Sequence, residues 1–230
     1  GEKEPVLRRE GVPAQLAEGL SHDDWKKVWL AHLALTTMVD RCIGTLINYV
    51  KDQGLLDDTL IVFTPDHGDH LGQHRRYQKM EMFEEAVKVP LIIGQKDAEP
   101  QVLKQVVSHM DVFPTLVDLL DLDFDCSAYD GKSLRPLIYE GLDPNRPAEA
   151  YCQYSGNPNY GTIRRAVITD RYKYVYDGLD HELYDLVEDP AEMHHIAGSD
   201  ENRALVAELY ERCRAYHEKR GDRAFQNTLN

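Results

Sequence analysis

The chain has 230 residues, is 42% hydrophobic and 29% charged, and carries a formal net charge of −14. That composition belongs to a globular chain able to bury a core, and the length suits one domain with an appended subdomain. The acidity excludes nonspecific nucleic-acid binding, which needs a basic footprint, and no run approaches the roughly 18 apolar residues of a membrane span.

The first ten residues, Gly1-Glu-Lys-Glu-Pro-Val-Leu-Arg-Arg-Glu10, contain no apolar signal region. This fits a soluble cytoplasmic chain, or a periplasmic or secreted one whose leader lies outside this sequence, so the compartment stays open. Cys42, Cys126, Cys152 and Cys213 lack the paired two-residue gaps of zinc sites. Cys42 lies on an apolar helical face and is expected in the core. No Asn-x-Ser/Thr sequon occurs.

Ser21, with Asp24 three residues later, forms a capping-box-like start. Val28, Ala31, Leu35, Met38, Val39, Cys42, Leu46 and Val50 then recur at helical spacing, predicting a long amphipathic helix that ends near Gly54. It delivers the chain to Leu60-Ile-Val-Phe63, which reads as a buried strand of a sheet covered on both faces. Val89-Pro-Leu-Ile-Ile93 predicts a second strand, and Val106-Val107 a short third one. From Asp111 to Leu120 a capped helix is expected, with Pro114 in its first turn. Residues 121 to 148 are rich in turn formers and read as loop.

Beyond residue 149 the pattern changes. Ala150–Tyr154, Ala166–Thr169, Tyr172–Tyr176 and Glu182–Leu186 are short aromatic and β-branched runs, predicting a small antiparallel sheet. Ser199 opens a last helix with Leu205, Leu209 and Cys213 on its apolar side. The expected organisation is therefore an α/β portion over residues 1–148 and a small antiparallel-sheet subdomain with a terminal helix over residues 149–230.

The chemistry concentrates in Thr64-Pro-Asp-His-Gly-Asp-His-Leu-Gly-Gln-His-Arg-Arg-Tyr-Gln-Lys79. Asp66 and His67 follow directly on a strand, where ligands bind in open α/β sheets. A carboxylate and an imidazole suit a metal, and Arg75, Arg76 and Lys79 bring positive charge back toward it. His70 reads as a hydrogen-bonded loop histidine. His74 reads either as a residue at the substrate or as one orienting a neighbour, since an imidazole exchanges protons near neutral pH. Arg75 and Arg76 suit a grip on an anion or a solvated face. Asp40, Asp111 and the His194-His195 pair are explained by packing, capping and surface exposure. The turn-rich loop from Ser155 to Tyr160 is a candidate for shaping specificity.

These residues resemble the sulfatase family of the alkaline phosphatase superfamily. The resemblance rests on Thr64-Pro-Asp-His-Gly with Leu71-Gly72, His74 and Lys79. It is reinforced by Val89-Pro-Leu-Ile, Asp111-x-x-Pro-Thr-Leu, Asp130-Gly-Lys-Ser-Leu134, Arg171-Tyr-Lys-Tyr and Glu182-Leu-Tyr-Asp-Leu-x-x-Asp-Pro190. It implies an α/β fold: the C-terminal part of a mostly parallel, helix-flanked sheet, plus the small antiparallel sheet and terminal helix. It implies Asp66 and His67 as metal ligands, Ca²⁺ first with Mg²⁺ or Mn²⁺ as alternatives. Lys79, twelve residues after His67, would be the catalytic lysine on the sulfate, with His74 beside it and Arg75 and Arg76 at the substrate.

The family's nucleophile is a formylglycine made from Cys or Ser in Cys/Ser-x-Pro-Ser/Ala-Arg. None of the four cysteines lies in such a setting, and no Asp-Asp metal pair precedes Ser21. The expectation is a metal-dependent sulfuric ester hydrolase whose nucleophile lies outside this chain, with the isolated chain inactive. Its partners would be a small-molecule or sugar sulfate ester and the N-terminal half of the same enzyme. Self-association is expected of the isolated piece through an exposed apolar edge. The alternatives are a phosphonate or phosphate monoester hydrolase on the same scaffold, and a noncatalytic fragment or interaction module.

Overall fold

The computed structural model describes residues 17, 19–155, 163–178, 180–222 and 224–225; all but Ser155 of the proposed specificity loop lies outside them. By its contacts the chain forms two compact units, Gly1–Pro100 and Gln101–Asn230.

In the first unit, helix α1 spans His22–Asp52. Ser21 caps it as the sequence predicts: its hydroxyl accepts from the Asp24 amide at 3.2 Å, and Asp24 accepts from the Ser21 amide at 3.1 Å. Gly54, at φ +68°, ends it in the left-handed conformation that glycine adopts without strain. The expected burial is overturned, because no residue of α1 is buried and Cys42 is exposed. Leu30, Leu33, Leu35, Met38, Val39 and Leu46 also face solvent. By length and composition alone, α1 is apolar enough to cross a bilayer, with a mean hydropathy of 1.3 over its most apolar window. That corrects the expectation that no segment passes this test. Asp40 and Arg41 stand within this helix, a costly position for charges in lipid.

Strand β1, Ile61–Phe63, pairs antiparallel with β2, Ile92–Gly94, with Val62 opposite Ile93. The parallel character expected of the core sheet is not carried by this pair. The intervening chain folds back on itself, with the Gly68 amide donating to the Ala86 carbonyl at 2.9 Å, so β2 returns beside β1 without a crossover. β1 is only half-buried, so the doubly covered strand is also corrected. Every buried described residue of this unit lies instead between residues 70 and 86.

In the second unit, Val106-Val107 is not a strand. A 3₁₀ turn, His109–Asp111, leads into α3, Val112–Leu119, numbered after the short α2, Glu84–Val87. Ser108 caps the 3₁₀ turn with Asp111 completing its capping box, while Asp111, at the N-cap position of α3, makes no side-chain cap bond to that helix. Asp111 also accepts from the Lys132 amide at 2.7 Å and from Arg146 at 2.9 Å, tying the 130s loop down. A Cβ at Gly131 would stand 1.8 Å from the Met110 carbonyl oxygen, so this crossing admits only glycine. The stretch read as loop contains α4, Arg135–Glu140, started by Pro136 and closed by Gly141 at φ +76°.

The four predicted strands form: β3 Glu149–Tyr154, β4 Arg164–Thr169, β5 Tyr172–Tyr176 and β6 His181–Asp185. They pair as an antiparallel meander in chain order, beginning at Glu149 where the pattern of the sequence changes. Their alternation puts Val167, Tyr174, Tyr176 and Leu183 into one core with Leu209 and Cys213 of α5, Arg203–Glu218, and with Ala224 and Phe225. His194 and His195 are exposed, as expected.

Candidate functional site

The site lies where β1 hands over to an irregular loop. Asp66 is largely exposed, and His67 is half-buried behind it. Asp66 Oδ1 accepts from the His67 amide at 3.0 Å, which leaves Oδ2 facing His67 Nε2 at 3.2 Å. His67 Nδ1 contacts the Gly68 carbonyl oxygen at 2.8 Å. Because that oxygen can only accept, the ring proton belongs on Nδ1, and Nε2 carries its lone pair.

Two lone-pair atoms facing each other at 3.2 Å call for positive charge between or beside them. Lys79 supplies it, donating through Nζ to His67 Nε2. The structure thus brings Asp66, His67 and Lys79 together, across the sequence gap of twelve residues.

A divalent metal fits part of this arrangement. An imidazole anchored by Nδ1–H to a backbone carbonyl, with a bare Nε2, is the form in which histidine binds metals, and Asp66 Oδ2 converges on the same point. Among the described residues no group of three or more His, Cys, Asp or Glu side chains gathers around a common point. A hard cation takes six or more ligands. Asp66 and His67 would therefore supply two of them.

The loop between His67 and Lys79 is held tightly. The His70 amide donates to the Gln78 carbonyl and the Gly72 amide to the Arg76 carbonyl, both at 2.9 Å. Leu71, His74, Arg75 and Gln78 all adopt positive φ, between 48° and 71°, besides Gly72 at 97°. Such backbone costs about 1–2 kcal/mol at each non-glycine residue and persists only where surroundings enforce it. Here α1 does so from one side. Trp29 Nε1 donates to the Leu71 carbonyl at 3.0 Å, and the Trp25 ring would meet a Cβ on Gly72 at 3.0 Å.

The remaining predicted residues part company. His70 is fully buried, with its ring edge-on to Phe83 at 5.8 Å. His74 stacks on Phe83 at 3.6 Å and pairs through Nε2 with Glu85 at 3.5 Å. Arg75 is exposed, whereas Arg76 is 2% exposed, with its Nε 3.7 Å from Glu81. Arg76 therefore departs from the expected substrate grip: a guanidinium buried against a carboxylate balances charge inside the loop. Glu81 and Glu85 were missed by sequence reasoning because no local motif links a glutamate to partners five and eleven residues upstream in an irregular loop.

A family model described as Sulfatase matches residues 21–122, including the whole of α1. A second, described as N-sulphoglucosamine sulphohydrolase, C-terminal, matches residues 72–219. The chain is 35% identical over 170 residues to a choline-sulfatase of Rhizobium meliloti (strain 1021), covering 73% of this chain and 32% of that one. It is 30% identical over 231 residues to the multifunctional alkaline phosphatase superfamily protein PehA of Trinickia caryophylli, covering 93% of this chain and 44% of that one. The phosphonate monoester hydrolase structure from Agrobacterium radiobacter superposes with a TM-score of 0.80 at 25% identity, over 90% of this chain and 44% of that one. The chain thus spans less than half the length of these relatives. With both halves of the match in one order along it, the chain belongs to the sulfatase family of the alkaline phosphatase superfamily.

Proposed function

We propose that the protein to which this chain belongs hydrolyses sulfuric monoesters, with Asp66 and His67 contributing to a Ca²⁺ site and Lys79 facing the sulfate. The observation that supports this reading is the contact of Asp66 Oδ2, His67 Nε2 and Lys79 Nζ at one point past β1. The metal, when bound, would neutralise sulfate oxygens and so favour attack at sulfur. The nucleophile, a formylglycine in the family, belongs outside this chain.

The chain's own residues do the rest. The Lys79 ammonium stabilises charge that grows as the S–O bond to the leaving group breaks. His74 gives the departing oxygen a proton, and Arg75, the exposed guanidinium of the loop, attracts the anion. The strained, anchored loop keeps these groups in place before substrate arrives, so little reorganisation is needed at the moment of reaction. By itself the 230-residue chain, with two metal donors and no nucleophile, turns over no ester.

The likeness to a phosphonate monoester hydrolase favours a second reading, in which the ester is a phosphonate or phosphate. Turnover of an aryl sulfate and an aryl phosphonate by the full-length protein, with and without EDTA, separates the two. Faster sulfate turnover that EDTA abolishes is expected. Preference for phosphonate transfers the assignment to the second reading, and activity on both substrates untouched by EDTA removes the metal from either.

A further inference from the structure

The segment from Phe83 to Ala86 holds the motif loop at three points. The Gly68 amide donates to the Ala86 carbonyl at 2.9 Å, and a Cβ at Gly68 would stand 1.9 Å from the Glu85 carbonyl oxygen, so this close approach fixes the chain just after His67. The Phe83 ring lies parallel to the His74 ring, 3° apart in plane, at 3.6 Å. The Glu85 side chain then meets His74 Nε2 at 3.5 Å.

Glu85 Oε2 is buried and makes no hydrogen bond among the described residues. A buried carboxylate oxygen left so is costly, and His74 Nε2 stands opposite it as an ion-pair partner. A carboxylate can only accept, so the facing Nε2 carries a proton, and as the imidazolium the ring gives the leaving oxygen its second proton, the one on Nδ1. His74 itself sits at φ +50°, a conformation that needs such external support.

The geometry points to Glu85 as a positioning residue that fixes the ring orientation and tautomer of His74. The inference rests on the reading of His74 as the proton donor to the leaving group. The contact is about 0.5 Å longer than an ordinary hydrogen bond, a separation common in unliganded sites that tightens when substrate binds.

The test uses the full-length protein, its Glu85→Ala and His74→Ala variants, and the double variant. Glu85→Ala is expected to lower kcat about 10- to 100-fold with KM nearly unchanged, the size of effect that a misplaced group produces. The double variant is expected to be no slower than His74→Ala alone, because Glu85 acts through that ring. Nitrogen-15 shifts of the His74 ring should report a fixed proton on Nε2 in the parent and a mixture of tautomers in Glu85→Ala. Parental kcat in Glu85→Ala, losses that multiply in the double variant, or unchanged ring shifts each overturn the assignment. If Glu85→Ala fails to fold, the isosteric Glu85→Gln enters the same cycle. Should the parent hydrolyse neither sulfate nor phosphonate, the functional reading falls while the ring shifts still decide the role of Glu85.

Discussion

The two units satisfy their hydrophobic residues in opposite ways. In the C-terminal unit the small sheet and α5 close on each other, and eight residues from Val167 to Phe225 form one buried cluster. In the N-terminal unit α1 has no buried residue, β1 is half-buried, and among the described residues burial is confined to positions 70–86, the motif loop and the segment after it. The sheet unit is therefore stabilised by burial within itself. The site unit has rigid chemistry on an open frame, as expected of a chain that spans less than half the length of its relatives. This difference teaches that amphipathic pattern shows a face to be coverable and leaves open what covers it.

The contrast can be broken most directly in the core. Tyr174→Ala or Leu209→Ala is expected to destabilise the chain by about 3–5 kcal/mol in urea unfolding, the cost of emptying a fully buried site. Leu35→Ala on α1 should change it by less than about 0.5 kcal/mol in the isolated chain. A loss at Leu35 equal to that at Leu209 would show that α1 is covered after all. Next in size, Lys79→Ala in the full-length protein should lower kcat about 100- to 1000-fold, as removal of one pre-placed charge stabiliser does. The unfolding midpoint of the same variant should barely move, and a large shift would turn Lys79 into a structural residue.

A third effect belongs to the sheet unit alone. His217 is 2% exposed, and burial, then the neighbouring Arg165, lower its pKa from the usual 6.5 to about 4. A histidine whose folded pKa is depressed binds its proton more readily when unfolded. Its contribution is complete above pH 6.5 and is lost as pH falls from there to about 4. The loss amounts to up to roughly 3 kcal/mol, read as the difference in pH slope between the parent and His217→Phe. Identical slopes would mean that water reaches the ring. Burial also pushes the Cys213 thiol up to about 12, whereas Cys42 is exposed. A thiol reagent should therefore label Cys42 in the isolated chain and Cys213 only on unfolding.

Much of the fold was legible because its signals are local. Ser21 and Asp24 lie three residues apart and cap α1 through their own atoms. The four aromatic runs form a meander in chain order, and the two- and four-residue gaps after β4 and β5 leave those strands their neighbours as partners. The elements that went unread, α4 and the absent strand at Val106-Val107, are short, and their state depends on what packs beside them. In the site, Asp66, His67 and Lys79 stood out by residue type and spacing. The burial of Arg76 on Glu81 and the hold of Glu85 on His74 did not. Those pairs are set by a loop with four non-glycine residues at positive φ, for which hydrophobic periodicity carries no information.

By itself the sequence determined which side chains are charged, apolar or metal-seeking and the local elements that carry them, because capping, strand alternation and motif spacing act over a few residues. Only the tertiary structure decided which of those charges meet, which histidine nitrogen keeps its lone pair, and which apolar face stays open to solvent. These depend on where a folded loop sets atoms within about 3 Å of one another, a distance at which hydrogen-bond geometry rather than residue type selects the outcome.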